Sequence, residues 1–314
     1  MPTTRRDNAP GTPGAPATTP RTTPRVWAGL WTIYIAWGST YLAMRVMVRT
    51  IPPLLGASTR FLVAGAIVVA WVASRQGRAG LRLTRGQLLT LAATGALVPG
   101  IGNGLNSLAV KHATSVTVAL LNAAVPLWVI LIRRFARERV PAVTLVVVPI
   151  GFSGVAIMLL PGGNVGASAL GVIFALGAGA AWGVGAFASA RLIRDIAPSL
   201  VIGVQMLAAG LVQLVIGVGL GELSDFHPGR FSGASVGALV YLVSVGGFIT
   251  YTVYAWLLQR APVSQIATYA FVNPIVAVVL GRLILDESLG WTGLVGAAVI
   301  VGSVALTVRS ETRR

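Results

Sequence analysis

Polar side chains stand inside long apolar runs of this 314-residue sequence. The stretch from Trp37 to Tyr41 joins an indole, a glycine and three hydroxyls, and Arg60 places a guanidinium among apolar neighbours. Asn103 and Asn106 put two amides one turn apart on one face of a helix. Such groups are costly to bury in an apolar medium, so they mark places that bind a ligand or join helices.

Ten of these side chains are candidates for binding a small organic solute. All are aromatic, amide, hydroxyl or guanidinium groups within apolar runs: Trp37, Ser39, Thr40, Arg60, Asn103, Asn122, Trp182, Tyr254, Tyr269 and Asn273. A structural role is the alternative for each of them. Aromatic rings also pack, amides also bond between helices, and an arginine also satisfies helix-end carbonyls.

Covalent chemistry finds little support in the sequence. Gly151-Phe152-Ser153-Gly154 matches the G-x-S-G of rhomboid proteases, but His112 and His227 fall at a helix end and in a loop, so the serine lacks a base. The chain has no cysteine and no His-Glu-x-x-His motif, and two histidines are too few for a usual metal centre. We expect no catalytic residue, no cofactor and no metal site.

The elements that position the candidates must be membrane helices. Hydrophobic residues make up 55% of the chain and charged residues 10%, and the mean hydropathy is +0.81. Runs of about 20 apolar residues cross a bilayer core, and they predict an all-α integral membrane protein with about ten transmembrane helices. The runs lie near 26–48, 52–74, 87–110, 115–133, 140–160, 168–190, 198–220, 235–258, 262–284 and 289–308.

The net charge of +16 is a topology signal. If the chain starts inside and the helices alternate, 18 of the 24 basic residues fall on one side. The positive-inside rule makes that side the cytoplasm and places both termini there, in a cell membrane. We therefore expect a multi-pass protein in a lipid bilayer and no binding of nucleic acid.

The carboxylates lie outside the apolar runs that contain the candidate side chains. All eight fall in tails, loops or helix ends. Proton-driven carriers commonly relay protons through buried acids or histidines. The sequence therefore argues against a carboxylate relay and leaves facilitation along a gradient or an unusual form of coupling.

An internal repeat runs through the sequence. Trp37-Gly38 recurs 145 residues later as Trp182-Gly183, and "RFLVAG" from Arg60 recurs at the same offset as "QMLAAG" from Gln205. Pro126 and Pro274 correspond at 148, and Glu138 and Glu287 at 149. Five crossings per copy invert the second copy, an arrangement found in transporters that bind substrate near the midplane. The expected divisions are a disordered cytoplasmic tail (1–25), a first five-helix repeat (26–160), a second (168–308) and a C-terminal cytoplasmic tail (309–314).

The motifs resemble a known family. "WGSTYLAMR" in the first helix, "RFLVAG" in the second, Gly102-Asn103-Gly104 in the third and "TYAFVNPIVAVVLG" in the ninth, with an acid after helices four and nine, are similar to the EamA family of the drug/metabolite transporter superfamily. The resemblance implies a ten-helix inner-membrane carrier with cytoplasmic termini. It also implies export of amino acids, related metabolites or drugs.

The resulting prediction is a transporter of small organic solutes that works as an exporter by alternating access. Uptake by the same fold is the alternative within transport. A non-transporting membrane sensor and an intramembrane enzyme are the alternatives from other classes. Glycine-rich faces serve internal packing and dimer contacts alike, so the sequence leaves the oligomeric state open.

Overall fold

The computed structural model describes residues 23–163 and 165–312. Most of the expected N-terminal tail, residues 1–22, lies outside the described part. Ten long helices run through the described part: α1 (Pro24–Met47), α2 (Pro53–Gln76), α3 (Arg85–His112), α4 (Ser115–Phe135), α5 (Ala142–Met158), α6 (Ala169–Leu192), α7 (Pro198–Gly219), α8 (Gly233–Leu258), α9 (Tyr269–Leu285) and α10 (Trp291–Thr312). The one β contact within these residues is an isolated bridge between Ala113 and Ala167.

Seven of these helices are long and apolar enough to cross a membrane by length and composition: α2, α3, α4, α6, α7, α8 and α10. Residues Thr144–Met158 of α5 and all of α9 are apolar but shorter. The expected all-helical membrane protein is confirmed. Ten crossings in two inverted repeats stay a prediction.

Local signals explain where several helices start. Prolines stand at the first positions of α1, α2 and α7, where the missing N–H costs nothing and the fixed φ favours a helix. Thr84 forms a capping box with Gln87 at the start of α3. Ser168 and Ser232 accept backbone N–H bonds at the starts of α6 and α8, which satisfies donors that a helix start leaves free.

Two helices contain a wide turn near their middle. α3 is a π-helix over Ala96–Gly102, around Pro99, and α8 is a π-helix over Ser244–Ile249. The sequence predicts a bend at Pro99, and in the structure a side chain from α7 contacts the wide turn there. The Gln213 side-chain nitrogen donates to the carbonyl oxygens of Pro99 and Gly100, both at 2.9 Å.

The ninth helix starts later than its apolar run suggests. The sequence places its start near residue 262, whereas α9 begins at Tyr269 after a separate helical turn, Val263–Ile266. Thr268 Oγ1 donates to the Gln265 carbonyl at 2.6 Å. A hydroxyl that bonds the backbone in this way competes with the helical ladder.

Helices α2 and α7 pack closely through glycines in a reciprocal pattern. A Cβ on Gly65 would lie 3.0 Å from the backbone nitrogen of Leu207, and a Cβ on Gly210 would lie 2.6 Å from Leu62 Cγ. Gly210 follows Gly65 by 145 residues, and Leu207 follows Leu62 by the same number. The same glycine–leucine contact therefore occurs twice, once with the glycine on α2 and once with the glycine on α7.

Helices α5 and α10 pack in the same manner. A Cβ on Gly151 would lie 3.2 Å from Ser303 Cβ, and one on Gly154 would lie 3.0 Å from Ile300 Cγ1. Here the two contacts are related by the offset of 149 that also relates Glu138 to Glu287. Close glycine contacts of this kind bring helix backbones together inside membranes.

An ion-paired cluster of two arginines and a glutamate marks one end of the bundle. Arg133 near the end of α4 and Arg191 at the end of α6 lie together through Glu138, and α8 ends beside the start of α1, where Gly29 meets Leu257. We call this the basic end. The opposite end holds the end of α3 and the start of α6, where Gly171 meets the carbonyl of His112.

Candidate substrate-binding cavity

A cavity lies at the centre of the helix bundle, and seven helices contribute to its wall. The space between its walls, including the part at its mouth, is about 770 Å³. Helices α5, α7 and α10 do not line it. The lining combines aromatic rings, amides, one guanidinium and small apolar side chains: Trp37, Thr40, Tyr41, Met44, Arg60, Asn103, Asn106, Ala119, Asn122, Ala123, Val125, Pro126, Trp182, Tyr251, Tyr269, Ala270, Asn273 and Pro274.

The structure brings eight of the ten candidate residues to this cavity. These are Trp37, Thr40, Arg60, Asn103, Asn122, Trp182, Tyr269 and Asn273. Tyr254 lines an adjoining space. Ser39 lies outside both spaces and bonds Tyr241, hydroxyl to hydroxyl, at 2.6 Å.

Trp37 is held by three tyrosines. Its ring centre lies 5.4 Å from that of Tyr251, 5.2 Å from Tyr254 and 5.0 Å from Tyr269. Two of the three contacts are edge-on, the geometry that aromatic quadrupoles favour. The cluster is therefore a preformed aromatic wall made by α1, α8 and α9.

Arg60 is the charged group of the cavity. Its side chain is only 3% exposed. Nη2 donates to the carbonyl of Gly246, in the wide turn of α8, at 3.2 Å, and Nε has no partner. Among the described residues no carboxylate pairs with it, since the described acids lie at helix ends and in loops.

Asparagine side chains line other parts of the cavity wall. Asn106 and Asn122 bond reciprocally, with the Asn122 nitrogen 2.7 Å from the Asn106 oxygen and the reverse pair at 3.3 Å. In the orientation that satisfies its amide, Asn273 donates to the carbonyls of Tyr34 and Tyr269 at 3.2 and 3.3 Å. Asn103 is 7% exposed and faces the cavity. Amides of this kind can orient a polar solute.

A wider space, the vestibule, joins the cavity to the basic end. It shares Val125, Pro126, Trp182, Tyr269 and Ala270 with the cavity and measures about 1310 Å³, its open part included. From there it reaches side chains at the ends of helices α4, α8 and α10, namely Arg133, Leu258 and Val308. The vestibule therefore adjoins the cavity and extends from it to the basic end.

At the opposite end the bundle is packed shut. Met44, Met47, Val110 and Leu121 belong to one buried apolar cluster between α1, α3 and α4. Arg45 donates to the Val110 carbonyl across α1 and α3. This layer separates the cavity from that end.

Glu287 adds a polar fastening to the closed end. Its carboxylate accepts bonds from the backbone N–H groups of Ser115 and Val116, both at 3.0 Å, and from the Ser115 hydroxyl at 2.7 Å. A carboxylate at a helix start is favoured by the free N–H groups and by the helix dipole. The end of α9 is thereby tied to the start of α4.

Glu138, the repeat counterpart of Glu287, has different partners. Each glutamate follows a residue with left-handed backbone, Arg137 at φ 59° and Asp286 at φ 53°. Glu138 pairs with Arg133 at 3.0 Å and with Arg191. Two equivalent carboxylates thus make different contacts at the two ends.

Sequence reasoning missed two tyrosines of the wall, Tyr41 and Tyr251. A signal was present for Tyr41, because residues 37, 40, 41 and 44 share one helix face and all four line the cavity. By the same helical periodicity, Ser39 lies on a different face of α1 and does not line the cavity. Ser153, in the protease-like motif, donates to the Ile150 carbonyl at 2.7 Å.

The fold and the cavity define a helical multi-pass membrane protein with a ligand-sized space at its centre. The model of the EamA-like transporter family matches the chain twice, over residues 27–160 and 169–309. The protein belongs to this family. Membership points to a transporter in a lipid bilayer rather than to an enzyme.

Named relatives agree with the family. The uncharacterized inner membrane transporter YedA of Escherichia coli (strain K12) is 31% identical over 283 residues, 90% of each chain. The uncharacterized transporter YvbV of Bacillus subtilis (strain 168) is 23% identical over 279 residues, 87% of this chain and 88% of YvbV. A solved crystal structure, 19% identical, matches with a TM-score of 0.62 over 92% of this chain and 98% of its own, a likeness of fold alone.

Proposed function

We propose that this protein exports small organic solutes by alternating access, with the central cavity as the substrate site. The observation that carries the proposal is that the cavity adjoins a vestibule toward one end of the bundle and is covered by a packed apolar layer toward the other. A pore would be open at both ends. A carrier exposes its site to one side at a time.

The proposed architecture is ten crossings in two inverted five-helix repeats. The two matches of the family model, over 27–160 and 169–309, support two copies. The reciprocal glycine contacts between α2 and α7 and between α5 and α10 also support two copies. A pseudo-two-fold axis in the membrane plane would exchange the two helices of each pair and so repeat each contact. In this arrangement α1, α5 and α9 also cross the membrane, together with the seven helices that are long and apolar enough by length and composition.

We propose the direction from charge. The basic end is the cytoplasmic end under the positive-inside rule. The vestibule then opens to the cytoplasm, which is where an exporter loads its solute. Uptake by the same fold is the alternative, and it is the reverse of the same cycle.

The two glutamates provide a gate for this cycle. Glu287 ties α9 to the start of α4 where the bundle is closed, while Glu138 rests on two arginines where it is open. The repeat counterpart of the Ser115–Val116 start is the helical turn Val263–Ile266. In the outward-open state Glu138 fastens that turn and Glu287 is released.

The experiment is flux from purified protein in liposomes, with solutes chosen by comparing metabolites and drugs in overexpressing and deleted cells. Trp37→Ala removes the centre of the aromatic wall and Asn103→Ala removes one amide. Each is expected to lower the flux of the identified solute about fivefold or more, since buried hydrogen-bonding and aromatic contacts are worth about 1–3 kcal/mol.

Gly237→Ala, on an exposed part of α8 with open space around it, is the control and should leave flux unchanged. Unchanged flux in both cavity variants contradicts the site assignment. No flux of any solute contradicts transport and favours a sensor or accessory role. Uphill accumulation driven by an imposed pH gradient contradicts simple facilitation.

A further inference from the structure

We infer that the solute carried by this protein bears a carboxylate, which pairs with Arg60 in the central cavity. The inference rests on the proposed transport function and names the chemical class of its substrate. It starts from one side chain, a guanidinium that is nine-tenths buried or more, lines the cavity and retains an unpartnered Nε–H.

A guanidinium in this setting needs an anion. It carries five N–H donors and stays charged at any physiological pH. Nη2 has one bond, to the Gly246 carbonyl, which lowers the cost of burial but does not neutralise the charge. Arg60 Cζ also lies 4.8 Å from the centre of the Phe61 ring, a contact that stabilises a cation without supplying a negative charge. Within the described residues the chain offers no carboxylate in reach, so a counter-charge for Arg60 is left to a ligand.

The other half of the chain shows that the fold does not require a cation here. Gln205 stands at the position that corresponds to Arg60. It is neutral, and its side-chain nitrogen donates to the Thr94 hydroxyl at 2.9 Å and lies 3.5 Å from that of Ser189. A helix-locking role is thus filled by a neutral amide in one half, while the cation in the other half faces the cavity.

The surroundings of Arg60 favour a carboxylate of single charge. One guanidinium matches one negative charge, and its planar fork fits the two oxygens of a carboxylate. The wall formed by Trp37 and its tyrosines offers apolar faces to the rest of the solute. An amine without a carboxylate finds no ionic partner in the cavity among the described residues.

The test uses three benzene derivatives of similar size that differ in charge. Binding of radiolabelled benzoate to the purified full-length protein is measured by equilibrium dialysis, with benzamide and benzylamine as competitors. Benzoate should bind saturably, and the neutral and cationic probes should compete at least about tenfold more weakly, the range of a charge-assisted hydrogen bond. No saturable binding of benzoate, or equal competition by benzamide, overturns the inference.

Variants locate the site. Arg60→Gln copies the residue at the corresponding position and should weaken benzoate binding at least about tenfold. Arg60→Lys keeps the positive charge but loses the planar pair of N–H donors. Its affinity for benzoate should lie between those of the unmodified protein and Arg60→Gln. Arg282→Gln, exposed at the end of α9, is the matched control and should bind as the unmodified protein does. Unaltered benzoate binding in Arg60→Gln overturns the assignment.

Failure of this inference differs from failure of transport. If the liposome screen finds flux only for solutes without a carboxylate, transport stands and the inference is wrong. If benzoate binds through Arg60 but no solute is carried, the carboxylate site stands and transport is wrong. The probe comparison on the unmodified protein decides even if a variant at residue 60 does not fold.

Discussion

Single residues set how closely the cavity helices approach. Gly38, next to Trp37, faces α9: a Cβ there would lie 2.6 Å from Val276 Cβ and 3.0 Å from the Asn273 carbonyl. No real Cβ fits at such distances without movement of the neighbouring backbone. Gly38 therefore sets how closely α1, which carries Trp37, approaches α9, which carries Asn273.

Gly38→Ala should push α1 and α9 apart. Overpacking of this kind costs about 1–3 kcal/mol, so the midpoint of thermal unfolding in detergent should fall by several degrees and substrate binding should weaken. Gly237→Ala is the control, since its Cβ meets nothing within 4 Å. Equal unfolding temperatures for the two variants would contradict a packing role for Gly38.

The sequence points to residues of the cavity lining where burial of a polar group is itself the signal. Arg60 and Asn103 are conspicuous because each interrupts an apolar run. Tyr41 and Tyr251 were missed because a tyrosine in an apolar helix looks the same whether it packs or lines a space. Ser39 was included for its neighbours, although its helix face points elsewhere.

At the scale of elements, one carboxylate joins two helices at the closed end. Glu287 satisfies the first N–H groups of α4 from the end of α9. Glu222 makes the same kind of cap on α2, accepting from Leu54 and Leu55 at 2.9 Å. Glu222 follows α7, however, so its cap fastens helices that pack side by side away from the gate.

Glu287→Gln should shift the carrier toward the state open at the end opposite the basic end. Loss of a charged cap costs about 1–2 kcal/mol, roughly a 5- to 30-fold change in population. The chain has no cysteine, so Met44→Cys, 2% exposed at residue 44, reports access. A membrane-impermeant maleimide applied from outside should react faster in Glu287→Gln.

Glu222→Gln is the matched control for this experiment. It should lower thermal stability without changing the rate of labelling at residue 44. Equal labelling rates with and without Glu287→Gln, or the same acceleration by Glu222→Gln, would show that Glu287 does not hold the gate.

The positions of most helices could be predicted from the lengths of the apolar runs in the sequence. The run at 198–220 became α7, Pro198–Gly219, because proline starts it and its composition changes sharply at both ends. The start of α9 did not follow, since no residue after Pro262 announces the turn at Thr268. The wide turns of α3 and α8 depend on partners such as Gln213 from another helix, which a linear pattern does not reveal.

For the whole molecule, the proposed cycle divides the helix contacts into two kinds. Contacts between a helix and its repeat counterpart, as in α2 with α7, are the same after the halves exchange roles. Contacts such as α4 with α9 at the closed end, where a Cβ on Gly281 would lie 2.4 Å from Val116 Cγ2, must open. The first kind is a fixed frame and the second is a gate.

Disulfide locks in the cysteine-free chain separate the two kinds. A bond between cysteines at Val116 and Gly281 should stop flux until it is reduced. Cysteines at Gly65 and Met206, where the Cβ atoms would lie 2.9 Å apart, must separate by about 1 Å to reach disulfide geometry. Once formed, this bond should leave flux the same as in the reduced form of the same variant. Flux measured before and after reductant gives the comparison, and arrest by both locks or by neither would contradict the division.

The exchanged glycine contacts of α2 with α7 have a consequence for how such a chain can arise. Contacts that repeat with their partners exchanged are those of a two-fold symmetric dimer, in which one surface is complementary to itself. A half-length ancestor with this surface could pair with an upside-down copy of itself without any new interface. Under the proposed inverted repeat, gene fusion needs only a linker and each half is then free to diverge, which would account for Arg60 in one half and Gln205 in the other.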